Sequence, residues 1–240
     1  MVTDVKETID SLISSCGAKT KLYICLGSTE MIAGATITYD NSYVPGSVGI
    51  PMVKVNCKII DPESGHEMSY YEEGEICFSG ETMMLGYYNL PEATDEIIKP
   101  DESGNKWLHT GDVGYIAEDG NIFVTGRIKR ILMTKGKDEQ ITKIFPDRVE
   151  KVLYEHPSVD LCCVIGVPDK QRINYPKAFV VLKKGIEESE RTTVDIIEFC
   201  KGKLPGYMVP DAIEYRTELP RTARGKIDYR ALEEQVIQQK

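Results

Sequence analysis

This chain lacks the usual metal-ligand and disulfide patterns. Its 240 residues hold three histidines, and none of the seven cysteines stands in a CxxC pair. The cysteine number is odd, and most cysteines lie inside apolar runs such as KLYICL and LCCVIGV. That excludes a disulfide framework or a structural zinc as the organising device and makes a reducing cytoplasm the expected setting. No apolar run reaches the length of a membrane span. The start, MVTDVKETIDSL, has neither the basic opening nor the apolar core of a signal peptide.

Excess positive charge is also missing. Lysine and arginine number 29 against 38 aspartates and glutamates, a formal net charge of -9. This argues against a general nucleic-acid or anionic-membrane binder. Two common nucleotide and metal signatures, GxGxxG and HExxH, do not occur. Neither RGKI nor TKGKD is a Walker loop, because the upstream glycine and the Ser/Thr after lysine are absent.

What is present reads as two regions of mixed α and β character, with no internal repeat. Asp4, with Glu7 as capping partner, opens a first helix, and Gly17 stops it. KLYICLG reads as a buried strand. From Ile32 to about Phe78, turns such as VPGS, DPESGH and EEGE separate short apolar segments, a β-rich pattern. NLPEATDEII is a short helix opened by Pro91. In GDVGYIAEDGNIFVTGR, Asp119-Gly120 predicts a two-residue hairpin turn. That register sets Ile116 opposite Phe123 and Asp112 opposite Arg127.

Beyond Arg127 the segment IKRILMTKGKDEQITKIF reads as basic and irregular. PDRVEKVLYEHP is a helix with Val149, Val152, Leu153 and His156 on one face. VDLCCVIGV and KAFVVL suit central strands. TTVDIIEFCKGKLP is a helix capped by Thr192 or Thr193. AIEYRTEL is a strand, and ALEEQVIQQ closes as a polar helix. The domain boundary expected from this layout divides 1–128 from 129–240, the second part being a small α+β domain.

Three sites carry possible chemistry. In LGSTE, Ser28 and Thr29 offer hydroxyls and backbone donors for an anion, and Glu30 can serve Mg2+ directly or through water. Ser and Thr there equally suit a plain helix cap. Asp112 can accept from two ribose hydroxyls, with Arg127 donating beside it. A cross-strand salt bridge is the simpler alternative. The loop PRTARGKIDYR puts Lys226 beside Gly225 within four cationic side chains. A lysine about 4 Å from a phosphate, at an effective dielectric near 20, is worth about 4 kcal/mol. Simple solvation of a basic loop accounts for it as well.

The ordered series GSTE, WLHTGD, GRIK and LPRTARGKID, with MLGYYNLPEAT and LPGYMVP, resembles the C-terminal half of the adenylate-forming superfamily. That superfamily includes acyl-CoA synthetases, aryl-CoA ligases, luciferases and peptide-synthetase adenylation domains. The resemblance implies an α+β fold: a β-rich remainder of the large adenylate-forming domain, then a small mobile C-terminal domain. It implies ATP/AMP, Mg2+ and CoA as cofactors and a small carboxylic acid as substrate, with no nucleic-acid partner. Thr29 and Ser28 would contact the AMP phosphate, Glu30 Mg2+, and Asp112 with Arg127 the ribose. Lys129 would be the hinge, Gly136 would line the CoA tunnel, and Lys226 would be the catalytic lysine of the first step. Leu26 stands where the family pattern places an aromatic. The family's Ser/Thr/Gly-rich phosphate loop has no counterpart here, so a missing N-terminal half is expected. The other roles this leaves open are an adenylation domain feeding a carrier protein, a complementing subunit of a split ligase, and a non-catalytic nucleotide- or CoA-binding fragment.

Overall fold

A computed structural model describes residues 2–39, 43–136 and 139–238. The chain divides into two compact units, Met1–Ile128 and Lys129–Lys240.

The first unit opens with helix α1 (Val2–Ser15), which starts before Asp4, so Asp4 lies in its first turn rather than at the expected cap. Gly17, at φ +76°, follows its end. KLYICLG is extended but forms no regular strand, and its side chains alternate between exposed and half-buried. Its amides at Ile24 and Leu26 donate to the hydroxyls of Thr38 and Thr36, both at 2.8 Å, while the carbonyls of the same two residues accept from the Thr38 and Thr36 amides at 3.0 and 3.1 Å. Strands β1 (Thr36–Ile37) and β2 (Ile50–Pro51) form a short pair.

The main sheet of this unit comprises β3 (Val55–Ile60), β4 (Gly74–Gly80), β5 (Ile98–Pro100), β6 (Lys106–Ile116) and β7 (Ile122–Arg127). Helix α2 (Pro91–Ile97) leads into β5, with Pro91 in its first turn as expected. All pairings are antiparallel: β3 beside β4, β4 beside β6, and the other edge of β6 shared by β5 and β7. The core gathers Met31, Ile59, Ile76, Phe78, Leu108 and Ile122.

The hairpin of β6 and β7 corrects the expected register. Gly120 donates to the Ala117 carbonyl and Ala117 to the Asn121 carbonyl, both at 2.9 Å. The loop is therefore three residues long, with Gly120 at φ +82°. Ile116 pairs with Ile122, and Phe123 with Tyr115, not with Ile116. A bulge at Thr125, between the Val113–Gly126 and Gly114–Val124 pairs, then shifts the register back. Asp112 and Arg127 end up opposite each other because the two irregularities cancel.

The second unit opens within a 3-10 turn at Ile128–Arg130. The segment expected to be irregular contains a hairpin of β8 (Leu132–Lys135) and β9 (Ile141–Ile144). Helix α3 (Pro146–Glu155) buries Val149, Leu153 and, just past its end, His156. Strands β10 (Val159–Asp169), β11 (Ile173–Leu182) and β12 (Ala212–Tyr215) form one sheet with β11 in the middle. Helix α4 (Glu190–Lys201) is capped by Ser189, whose side chain accepts from the Thr192 amide. The expected caps, Thr192 and Thr193, lie within the helix. Helix α5 (Tyr229–Gln238) is the last element.

Alternation along β10 and β11 explains their unbroken apolar sequence. Cys162, Val164, Ala178 and Val180 face a core with Leu153 and Ile196. Cys163, Ile165, Phe179 and Val181 face a second core with Leu232 and Val236. Both sheet faces are covered, so neither strand shows a polar stripe.

Candidate nucleotide-binding site

The site in the first unit begins with a distortion of the sheet. Glu75 pairs with Val113 and Cys77 with His109, so Ile76 alone faces Thr110, Gly111 and Asp112. Three residues opposite one cannot all join the ladder. Side chains replace the missing bonds. Thr110 Oγ1 donates to the Ile76 carbonyl at 2.7 Å and accepts from the Asp112 amide at 3.0 Å. The Gly111 amide donates to Glu75 Oε1 at 2.9 Å, and His109 Nδ1 lies 2.8 Å from Glu75 Oε2. Since an ionised carboxylate only accepts, Nδ1 carries the proton.

Asp112 is buried, and Arg127 Nε donates to its Oδ1 at 2.8 Å. The expected pair forms, with the aspartate inside and the arginine side chain 59% exposed.

Ser28, Thr29 and Glu30 lie at a 3-10 turn, Thr29–Met31. Ser28 takes the cap position but makes no side-chain capping bond, which removes the plain capping role for its hydroxyl. Ser28 Oγ is buried with no hydrogen-bond partner among the described residues. It lies near enough to Glu30 to favour the carboxylate without making a geometrically sound bond. The turn is tight: a Cβ on Gly27 would meet the Ala33 carbonyl oxygen at 1.5 Å, so only glycine fits there. Ile32 and Ala33 follow at φ +48° and +87°, a strained conformation for residues with a Cβ.

Glu30 has a partner that the sequence reading did not find. Tyr87 Oη donates to Glu30 Oε1 at 2.5 Å. The Tyr87 amide is itself held by Thr94 Oγ1 at 2.9 Å, and the Glu30 carbonyl accepts from Met84 at 2.8 Å. Burial pushes the Glu30 carboxyl up, but the Tyr87 hydroxyl and neighbouring donors outweigh it and hold Glu30 below its ordinary value. The same bond, with burial, pushes the Tyr87 phenol up to about 12.

These groups line one pocket of about 260 Å³. Ser28, Glu30, Tyr87, Asp112 and Arg127 supply its polar wall, and Leu26, Phe78 and Leu108 its apolar wall. Thr29 is exposed and outside that lining. The donor set suits a phosphorylated sugar: an unpartnered hydroxyl, a carboxylate–guanidinium pair, and an ionised carboxylate able to share Mg2+ with phosphate oxygens.

Three further residues of interest belong to the second unit or its first turn. Lys129 is exposed in the 3-10 turn. Gly136 follows β8, and its amide donates to the Gln140 carbonyl at 2.9 Å. Lys226 is exposed on the returning arm of a closed loop, one residue before the Arg221–Ile227 bridge. Thr222 donates to the Lys226 carbonyl and Gly225 to the Thr222 carbonyl, both at 2.8 Å, with Gly225 at φ +79°. Arg221 donates to the Gly225 carbonyl at 2.7 Å, so it braces the loop.

The AMP-binding enzyme profile matches residues 5–88, and the AMP-binding enzyme C-terminal domain profile matches residues 148–226. The chain belongs to the adenylate-forming superfamily. Among relatives within this superfamily, a long-chain-fatty-acid–CoA ligase of Bacillus subtilis (strain 168) is 40% identical over 191 residues. That match covers 80% of this chain and 32% of the relative. A luciferin 4-monooxygenase of Luciola mingrelica is 35% identical, over 87% of this chain and 36% of its own length. Among solved structures, the anthranilate CoA ligase AuaEII with anthranoyl-AMP superposes with a TM-score of 0.79 at 30% identity. It is matched over 95% of this chain and 42% of its own. The chain thus spans about a third of the curated relatives it matches. No helix among the described residues is long and apolar enough to cross a membrane.

Proposed function

We propose that this chain is the nucleotide-gripping and lid portion of an AMP-forming acyl-CoA synthetase. The carrying observation is the pocket in which an unpartnered Ser28 hydroxyl, an ionised Glu30 and the Asp112–Arg127 pair converge. In this reading the carboxylate of a small-molecule acid attacks the α-phosphate of ATP. The acyl–phosphate bond forms, the α–β anhydride bond breaks, and pyrophosphate leaves. The CoA thiol then attacks the acyl carbon, forming the thioester, and AMP departs.

Each residue has one task. Asp112 accepts from the ribose hydroxyls, and Arg127 donates beside it. Ser28 and Thr29 donate to the AMP phosphate. Glu30 holds Mg2+, which neutralises phosphate charge when bound. Residues 129–240 act as the lid on the remainder of the large domain, 1–128. Lys129 is its hinge, Lys226 the electrophile for the first step, and Gly136 a wall of the CoA passage. A separate segment or chain supplies the phosphate loop, since no such loop occurs in these residues. The free cysteines in both units fit a cytoplasmic setting. The names of the relatives, CoA ligases in several bacteria, favour CoA over a carrier protein as acceptor.

Two measurements test this. AMP titrated into the chain is expected to bind, and Asp112→Ala to weaken it at least tenfold. Joined to a phosphate-loop-bearing partner, the chain is expected to support pyrophosphate exchange that Lys226→Ala abolishes, while thioester formation from supplied acyl-adenylate survives. Equal loss of both steps in that variant, or AMP binding indifferent to Asp112, counts against the reading.

A further inference from the structure

Glu75 plays no part in the reading above, yet it is a buried carboxylate one strand away from Asp112. Both its oxygens are engaged by the distorted stretch of β6. Oε1 takes the Gly111 amide and Oε2 takes His109 Nδ1. Gly111 stands at φ +71°, and its amide points away from any strand ladder. With the carboxylate removed, that half-buried amide would lose its acceptor, and a donor left unpaired away from full solvent is costly. The backbone would then relax toward a regular ladder, and Asp112 would move with it. Cys77 completes a cluster with Glu75 and His109 in which the ligand-type atoms lie within 4.8 Å of one another. The two Glu75 bonds account for that cluster without a metal.

We propose that Glu75 is a positioning residue: through the Gly111 amide and His109 it holds the Thr110–Asp112 bulge in the shape that presents Asp112 to a ribose. This rests on the assignment of Asp112 to the ribose hydroxyls, and the experiment separates the two claims. The affinities of AMP and 2′-deoxy-AMP are measured on the chain, together with hydrogen exchange at the Gly111 amide. The wild type is expected to prefer AMP by about tenfold, the size of one charge-assisted hydrogen bond. Glu75→Leu is expected to lose most of that preference and to speed Gly111 exchange at least tenfold. Glu75→Gln keeps an acceptor for Gly111 and can donate to the other His109 tautomer. It is expected to stay within threefold of wild type in both readouts, and it carries the test if the leucine variant does not fold. A glutamine variant that folds yet loses both readouts would overturn the hydrogen-bonding role. So would a folded leucine variant with Gly111 still protected and the preference intact. A wild type that fails to prefer AMP would sink the ribose assignment instead, while faster Gly111 exchange in the leucine variant alone would still support the brace.

Discussion

Arg127 Nε donates to Asp112 Oδ1 at 2.8 Å, joining an exposed guanidinium to a buried carboxylate across one rung of a hairpin. Exposure on the arginine side limits what this bond does for stability. Pairs of that kind contribute about 0–1 kcal/mol. Arg127→Ala is therefore expected to move the urea midpoint of the first unit little, while weakening AMP binding several-fold. A large loss of stability with unchanged binding would show that the pair is a structural bridge.

Tyr87 and Glu30 form the second engaged pair of the pocket. Removing the phenol leaves burial as the strongest influence on the carboxyl, and burial acts upward. Tyr87→Phe is expected to raise the Glu30 pKa, read by carboxyl-carbon NMR, and to weaken Mg2+ uptake in the presence of AMP. A Glu30 resonance titrating as in wild type would refute the coupling.

Legibility in the sequence followed how local each cause was. Pro91 and Pro146 open helices through their own fixed φ, and both starts appear as read. The Asp112–Arg127 pairing was legible as well, but only because a three-residue loop and a bulge at Thr125 offset each other. Neither irregularity leaves a mark that alternation alone can show. The β8–β9 hairpin was hidden because Lys, Asp and Glu crowd its connection, and charge obscures the short apolar repeat. Residues 137 and 138 of that connection lie outside the described residues. Tyr87 and Glu75 were missed because their partners, Glu30 and Gly111, are 57 and 36 residues away. Contacts at such separation follow from strand order, which no short motif states. Within MLGYYNLPEAT only the local half was present: the Tyr87 amide donates to Thr94 Oγ1, seven residues further on.

Acid should act on the first unit through Glu75. Burial raises its carboxyl, but the His109 and Gly111 donors prevail and hold it below the ordinary value near 4.5. A carboxyl lowered on folding takes up protons first in the unfolded chain. Its stabilisation is full above about pH 5 and is lost as pH falls through the ordinary carboxylate range toward its folded value. Glu75→Gln has no proton to gain there. Its stability is expected to fall less steeply than wild type between about pH 5 and pH 3.5 in urea titrations. Parallel curves for the two proteins would assign the acid response to other groups.

Arg130 and Lys129 are neighbours with opposite expected effects. The Arg130 side chain is 12% exposed and donates to Asp147 at 2.9 Å and to Glu150 at 2.5 Å. Its other contacts are the Val164 carbonyl at 3.2 Å and the Tyr229 ring. Burial pulls the guanidinium pKa down, and Glu150 and Asp147 more than reverse it. Glu150 also accepts from the Val164 amide at 2.8 Å, so the clamp ties the start of this unit to α3 and β10. Removing one partner of such a buried pair costs about 3–5 kcal/mol, because the other charge stays buried and uncompensated. Arg130→Ala is expected to destabilise the second unit by about that amount in urea unfolding. Lys129→Ala, at an exposed side chain, is expected to be nearly neutral. The contrast bears on the proposed hinge: a clamp at Arg130 would confine backbone rotation to the residues before it, where Lys129 stands. If Lys129→Ala instead proved as damaging as Arg130→Ala, Lys129 would be a structural fixture of this unit and unsuited to a pivot.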